Sequence, residues 1–243
     1  MLLALDIGNS HVVCAVHDSK KWIHSIRISS NLDFWKKFKT LKKYDITATA
    51  ISSVVPKLTL IYVESIRNIF HIDAFIINHE NSGVELKVNV PEEVGADRIC
   101  NTAAAQKLMG YPAIIGDIGS ATNYDVVDEK GSFMGGAIAP GLETAAQNLF
   151  KKAALLKETA FTLPASVIGK DTTTNLQSGI MLGAIDVIDG MFKRIQKETG
   201  WKKSYNIITG GFGKLISPYL KTEHSLISTL TLDGIRIIYE KAS

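Results

Sequence analysis

The chain has 243 residues, enough for one large domain or for two of about 100–150 residues each. Hydrophobic residues make up 46% and charged residues 21%, which is typical of a folded globular protein with a sizeable core. The net charge is only +3 and the lysines stand in scattered pairs, which favours solvated helix faces over a nucleic-acid-binding surface.

The start of the chain and its two cysteines indicate the compartment. Met1–Asp6 is apolar, lacks a basic region and reaches an aspartate at once, so we interpret it as a strand and not as a signal peptide. No apolar run approaches the ~20 residues of a membrane span. Cys14 and Cys100 lie in separate apolar stretches and predict buried free thiols in a reducing compartment. We expect a cytoplasmic protein that binds neither membrane nor nucleic acid.

The first half predicts three strands, followed by helices that alternate with further strands. The expected strands are Leu2–Ile7, His11–His17, Trp22–Ile28, Ala48–Val55 and Ala74–Ile77, and the expected helices are Leu32–Leu41, Leu58–Phe70 and Arg98–Met109. The near-continuous apolar run of Leu2–Ile7 is typical of a buried central strand. Residues 80–91 predict an irregular loop.

The second half repeats the order strand, acidic turn, strand, turn, strand. The expected strands are Ala113–Ile118, Thr122–Val127, Ser132–Ile138 and Tyr205–Ile208, and the expected helices are Leu142 to about Leu156, roughly Thr173–Thr199, and Asp233–Tyr239. Strands first and helices after, twice over, predict an α/β protein of two ribonuclease-H-like lobes, residues 1–108 and 109–243.

The most informative feature is a repeated acidic turn, found at Asp6–Ser10 and again at Asp117–Ala121. In each copy a glycine after an apolar strand lets the backbone approach a phosphate and offer N–H donors. The aspartate at the strand end can hold Mg²⁺ directly or through water. One such turn is a weak signal, but two copies indicate two halves facing one nucleotide cleft, and hence phosphoryl transfer.

Three other segments could carry chemistry. Gly95–Arg98 could supply a general base, Asp97, beside an arginine that binds an acidic substrate, or it could simply be a capped helix start. Gly135–Gly141 is either a sharp turn or an anion-binding helix start. Thr172 or Thr173 could cap the long helix, and Thr172 could equally contact a substrate.

Metal chemistry of the zinc type is not indicated. His11 and Cys14 are three residues apart on an expected strand, where their side chains point to opposite faces. The sequence has no other His/Cys cluster with zinc spacing, no Gly-x-Ser-x-Gly elbow and no Walker-type loop.

Taken together, the motifs resemble those of type III pantothenate kinases, in the same order and over nearly the whole chain, from Leu3 to about Gly213. They are Asp6–Ser10, Gly95–Arg98, Asp117–Thr122, Gly135–Gly141 and Ile168–Thr172. The resemblance implies the fold of the acetate and sugar kinase, Hsc70 and actin superfamily. It also implies ATP-dependent phosphorylation of pantothenate, the first step toward coenzyme A, by a homodimer with active sites near the subunit interface.

The resemblance assigns roles by position. Asp97 would accept the proton of the pantothenate hydroxyl, Asp117 would bind a monovalent cation (K⁺ or NH₄⁺), and Asp6 would hold Mg²⁺, directly or through water. The residues implied to contact ATP are Asp6, Ile7, Gly8, Asn9, Ser10, His11, Val12, Val13 and Ser120. The residues implied to contact pantothenate are Gly95, Ala96, Asp97, Arg98 and Thr172. The apolar face of the long helix, around Ile180–Val187, is the expected dimer surface.

The chain departs from the family pattern at a few positions. The family usually has threonine where this chain has Ser10 and Ser120, so the hydroxyl is kept. It usually has phenylalanine at Ile118, threonine at Asn123, and an aromatic substrate contact where this chain has Val88. Two alternatives therefore stay open: a non-catalytic nucleotide-binding regulator of the same fold, and a superfamily kinase or phosphatase with another small substrate, against which Gly95–Arg98 argues.

Overall fold

The computed structural model describes residues 1–29 and 34–243, which divide into two compact units. The first unit comprises Met1–Gly110, Gly131–Met134 and Thr229–Ser243, and the second comprises Tyr111–Lys130 and Gly135–Ser228. The strands are β1 (Leu2–Ile7), β2 (His11–His17), β3 (Trp22–Ser29), β4 (Ala48–Ser53), β5 (Ala74–Ile76), β6 (Ala113–Ile118), β7 (Ala121–Val127), β8 (Phe133–Pro140), β9 (Tyr205–Thr209) and β10 (Ser225–Leu226). The helices are α1 (Phe34–Lys39), α2 (Pro56–Phe70), α3 (Ala96–Leu108), α4 (Leu142–Lys152), α5 (Thr172–Gln177), α6 (Gly183–Thr199), α7 (Gly213–Ile216) and α8 (Leu230–Ala242).

Each unit is built on its own five-stranded sheet, and the two sheets have the same topology. The strand order is β3-β2-β1-β4-β5 in one sheet and β8-β7-β6-β9-β10 in the other. In each, the central strand runs antiparallel to the strand that follows it and parallel to the strand on its other side. The repeat predicted from the sequence is therefore present in the topology, and the two-lobed α/β fold is confirmed.

The central strands are buried because apolar side chains occupy both of their faces. Leu3, Leu5 and Ile7 of β1 pack in one core with α2, while Ala4 packs in a second core with α3 and α8. In the second unit, Ile114 and Ile118 of β6 pack with α4 and α6. The result is that each sheet is covered by helices and its acidic turn lies at the end of a rigid strand.

Several boundaries differ from the predicted ones. Of the stripe predicted over Leu32–Leu41, Leu32 lies outside the described residues, and the chain is helical from Phe34 and then 3₁₀-helical over Thr40–Lys43. Helix α2 begins at Pro56, two residues before the predicted start at Leu58. Proline suits the first turn of a helix because the N–H that it lacks would have no partner there.

The long helix of the second unit is interrupted. A π-helical turn over Ser178–Leu182 separates α5 from α6. The prediction that Thr172 or Thr173 caps the helix is wrong, since Asp171 is the N-cap. Its carboxylate accepts the Thr174 N–H at 2.9 Å, and the Thr174 hydroxyl accepts the Asp171 N–H at 3.2 Å, which makes a capping box.

Candidate active site

The first acidic turn joins β1 to β2. Gly8 donates its N–H to the carbonyl of His11 at 3.0 Å, which closes the hairpin and leaves Asn9 and Ser10 exposed at its tip. Asp6 is half-buried on the central strand, opposite Val13 on β2 and Ser52 on β4. The turn thus presents a carboxylate and backbone N–H groups at one edge of the sheet, as a phosphate site requires.

The residues predicted to contact ATP from this hairpin differ in what they can offer. Ile7 and Val12 are fully buried, so their side chains belong to the core and only their backbone groups can reach a ligand. Val13 is half-buried against the core that contains α3. Next to the turn, His11 Nδ1 lies 3.1 Å from Nη2 of Arg27, which places a guanidinium beside the predicted phosphate loop.

The second acidic turn has the same design and is anchored by the start of α4. Gly119 donates its N–H to the carbonyl of Ala121 at 2.9 Å. The carbonyl of Ser120 accepts from the N–H of Gly141 at 3.1 Å and from the hydroxyl of Thr144 at 2.7 Å. A Cβ on Gly141 would overlap with the Gly119 and Ser120 carbonyl oxygens, so this close approach requires glycine. Ser120 itself is exposed.

Asp117 lies on β6 directly before that turn. It is half-buried, and its Oδ1 is so close to Gly210 that a Cβ there would overlap with it. Asn123 on β7 is its partner across the ladder, so the two side chains share one face of the sheet. The Asn123 Oδ1 atom is buried and has no hydrogen-bond partner among the described residues. Two oxygen atoms, one of them anionic, therefore lie on the same face of the sheet.

Asp97 lies in the first turn of α3. The N-cap is Gly95, so the alternative of Asp97 as a capping residue is wrong. Its Oδ1 accepts the N–H of Arg98 at 2.8 Å, and a Cβ on Gly95 would overlap with that oxygen. Burial raises the pKa of Asp97, and the Arg98 N–H and positive charge oppose the shift only in part. The carboxylate is thus a stronger base than an exposed aspartate.

Arg98 follows with its guanidinium stacked on a core aromatic ring. Its Cζ lies 5.1 Å from the ring centroid of Phe133, which is 1% exposed and rigidly packed. A contact of this kind restricts the planar guanidinium. Phe133 lies at the start of β8, far from Arg98 in the sequence, and no spacing pattern pointed to it.

Thr172 is the first residue of α5 and is exposed. It lines an apolar groove of about 720 Å³ in the second unit, between β7, α4 and the interrupted helix. The groove is also lined by Ile118, Tyr124, Leu149, Ile180 and Val187. Leu149 is 41% exposed and Val187 54% exposed, so this part of the second unit carries an open hydrophobic surface.

Two features are absent from residues 1–29 and 34–243. No helix there has the length and apolar character needed to cross a membrane. No group of three His, Cys, Asp or Glu side chains there could hold a metal ion by itself.

Comparison with known proteins bears on the family. Residues 2–194 match the family model described as type III pantothenate kinase. A curated type III pantothenate kinase from Moorella thermoacetica is 37% identical over 253 residues, which cover 99% of this chain and 99% of that protein.

Two solved structures bear on the fold. A Baf family protein from Campylobacter jejuni superimposes with a TM-score of 0.64 at 17% identity, covering 98% of each chain. The ROK hexokinase from Thermus thermophilus superimposes with a TM-score of 0.50 at 10% identity, covering 100% of this chain and 99% of that one. Both are similar in fold.

Proposed function

Since the chain belongs to the type III pantothenate kinase family, we propose that it transfers the γ-phosphoryl group of ATP to the hydroxyl of pantothenate, in the first step toward coenzyme A. The observation that carries the mechanism is the buried carboxylate of Asp97 at the start of α3, held with a raised pKa beside Arg98. The two free, buried cysteines suit a reducing cytoplasm.

In the reaction, the hydroxyl oxygen of pantothenate attacks the γ-phosphorus while the bond from that phosphorus to the β,γ-bridging oxygen breaks, and ADP leaves. The proton of the hydroxyl passes to the Asp97 carboxylate. A base whose pKa lies nearer to the working pH accepts this proton more effectively than an ordinary aspartate. Most of the acceleration comes from positioning and from charge neutralisation.

We assign the carboxylate of pantothenate to Arg98. An arginine binds a carboxylate through two parallel N–H bonds, and the stacking on Phe133 removes much of the freedom that would otherwise be lost on binding. Gly95 and Ala96 form the backbone that turns into α3 beside this pair. We also assign Thr172 to the substrate, because it is exposed at the start of α5.

We assign the phosphates of ATP to the two acidic turns, residues 6–13 in the first unit and Ser120 in the second. The half-buried carboxylate of Asp6 near the end of β1 fits Mg²⁺, because Mg²⁺ binds hard oxygen ligands and is commonly held by one or two carboxylates together with phosphates and waters. When bound, Mg²⁺ neutralises charge on the transferring phosphoryl group.

The second unit offers a fitting place for the monovalent cation. Asp117 provides an anionic oxygen, and across the ladder the buried Oδ1 of Asn123 lacks a partner, an arrangement that a cation would satisfy. When bound, K⁺ or NH₄⁺ supplies positive charge near the phosphates. Asp117 and Asn123 would hold it, with the close packing of Gly210 fixing the carboxylate.

The proposed activity is tested by measuring ADP release with purified protein, with and without pantothenate, in buffers that contain K⁺ or Na⁺. We expect ADP release that needs pantothenate and is several-fold faster in K⁺. ADP release without pantothenate would instead indicate a kinase or phosphatase for another small substrate. No ADP release under any condition, with nucleotide binding intact, would indicate a non-catalytic regulator.

We also propose that the protein is a homodimer that pairs through the apolar groove next to Thr172. The groove exposes Leu149 and Val187, and a hydrophobic surface of this kind usually marks a protein interface. A partner seated there would lie beside Thr172, which agrees with an active site near the subunit interface.

Replacing Val187 by glutamate should convert the dimer to a monomer, because pairing would bury the new charge. Light scattering after size exclusion measures the mass. The matched control is Leu60→Glu, since Leu60 is 68% exposed on α2 of the first unit and outside the groove. A wild-type monomer, or an equal loss of dimer in both variants, would contradict the proposed interface.

A further inference from the structure

We propose that Ser52 is a positioning residue that orients the Asp6 carboxylate for Mg²⁺-bound nucleotide. This inference rests on the proposed function, because it takes Asp6 to be the residue that meets Mg·ATP. Ser52 lies outside all the motifs that the sequence singles out. Its place in the fold, on the strand next to Asp6, is what brings it to the site.

The geometry follows from the sheet. β1 and β4 run parallel with Asp6 opposite Ser52, and Ser52 donates its hydroxyl to Asp6 Oδ1 over 3.3 Å. This distance is within hydrogen-bonding range, although it is longer than usual for a hydroxyl and a carboxylate. Ser52 itself is 0% exposed, so water does not compete for its hydroxyl.

The surroundings of Ser52 explain why its hydroxyl matters. The thiols of Cys14 and Cys100 are fully buried. A thiol is a weak hydrogen-bond donor, so the Ser52 hydroxyl is a stronger donor for Asp6 than either cysteine would be.

A buried hydroxyl is costly in a strand unless a polar partner repays its desolvation. Ala50, two residues earlier on the same face of β4, is fully buried and apolar, so an alanine would suit the packing at position 52. The hydrogen bond to Asp6 is what makes serine suitable there. Outer residues that orient a metal-binding carboxylate typically change metal affinity by about 10–100-fold when they are removed.

The test is isothermal titration calorimetry with the non-hydrolysable analogue AMPPNP, with Mg²⁺ and with EDTA. Ser52→Ala should weaken binding of Mg·AMPPNP by about 10-fold and leave binding in EDTA unchanged. The matched control is Thr49→Val, which removes another buried hydroxyl of β4, one that bonds to the carbonyl of Asp73 and not to Asp6. This control should bind like the wild type in both buffers.

The outcomes separate the inference from the function it rests on. Equal Mg²⁺-dependent binding by S52A and the wild type overturns the role of Ser52. If the wild type binds Mg·AMPPNP more tightly than metal-free AMPPNP and S52A loses that difference, but pantothenate is not phosphorylated, the inference holds and the proposed function fails. If S52A does not fold, Ser52→Cys keeps the volume with a weaker donor and should show the same loss in part. Unchanged binding by S52C would then overturn the inference.

Discussion

Replacing Asp97 by asparagine should lower the turnover of pantothenate by about 10²–10⁴-fold, the usual loss when a general base is removed. Asparagine keeps the shape and the oxygen that accepts the Arg98 N–H, so the start of α3 should be unchanged. The loss should appear in kcat, with the KM for pantothenate nearly constant, because Arg98 still binds the substrate. Steady-state ADP release measures both constants.

The pH dependence gives an independent check on Asp97. The carboxylate must be ionised to accept a proton, and burial raises its pKa above the usual 3.8. Turnover of the wild type should therefore rise with pH through that raised pKa, and the residual turnover of D97N should lack this limb. Wild-type turnover in D97N, or the same acid limb in both proteins, would remove Asp97 from the mechanism.

The same shift predicts the stability of the variant. Because the pKa of Asp97 is higher in the folded than in the unfolded state, the folded protein holds the proton more tightly. Its contribution to stability is present at acid pH and is lost as the pH rises through the folded pKa. At neutral pH the ionised, buried carboxylate is a cost that asparagine removes. D97N should then melt at a higher temperature than the wild type, which separates lost chemistry from lost folding.

The fold could largely be predicted because the same order of strands and acidic turn occurs in both halves of the sequence. The apolar runs before Asp6 and Asp117 mark central strands, and the hairpin that follows each of them sets the register of the sheet. The two sheets have equivalent strand orders, so the apolar periodicity of the strands was enough to predict the repeated sheet. Short elements such as α7 and β10 were not predicted, since four and two residues are too few for any period.

Contacts between distant segments could not be predicted from the sequence. The apolar pattern near the C-terminus predicts a helix, but it does not reveal that α8 packs with α3 in the first unit, where Gly234 meets the backbone of Cys100. Likewise, the pattern in the second unit predicts one long helix. The π-helical turn at Ser178–Leu182 inserts an extra residue into the hydrogen-bond ladder, which a period of 3.6 does not report.

Some residues of the candidate site could likewise be predicted from the sequence, and others could not. Asp6, Asp97 and Asp117 could be found because an acidic residue beside glycine at a strand or helix end is visible in a local motif. The residues that support them could not. Phe133 packs against the Arg98 guanidinium, and Ser52 donates a hydrogen bond to Asp6. Both contacts join elements that are far apart in the sequence.

Replacing Gly210 by alanine should lower turnover by about 10²-fold and abolish the activation by K⁺. Gly210 has a φ of +87°, and a Cβ there would overlap with Asp117 Oδ1 and with the backbone of Ile118. The backbone of β6 is held in the sheet, so we expect the Asp117 carboxylate to move. A displacement of about 1 Å at a catalytic site can cost 10²-fold in rate.

Gly200→Ala is the matched control, because it separates backbone strain from displacement of the carboxylate. Gly200 also has a left-handed φ, +69°, where alanine costs roughly 1–2 kcal/mol, but nothing lies within 4 Å of a Cβ there. G210A should lose more stability than G200A in thermal melts, because it adds the overlap with Asp117 and Ile118 to the backbone strain, and only G210A should lose turnover and the response to K⁺. If the two variants keep equal turnover, or if G210A still responds to K⁺ as the wild type does, Asp117 is not the residue that holds the cation.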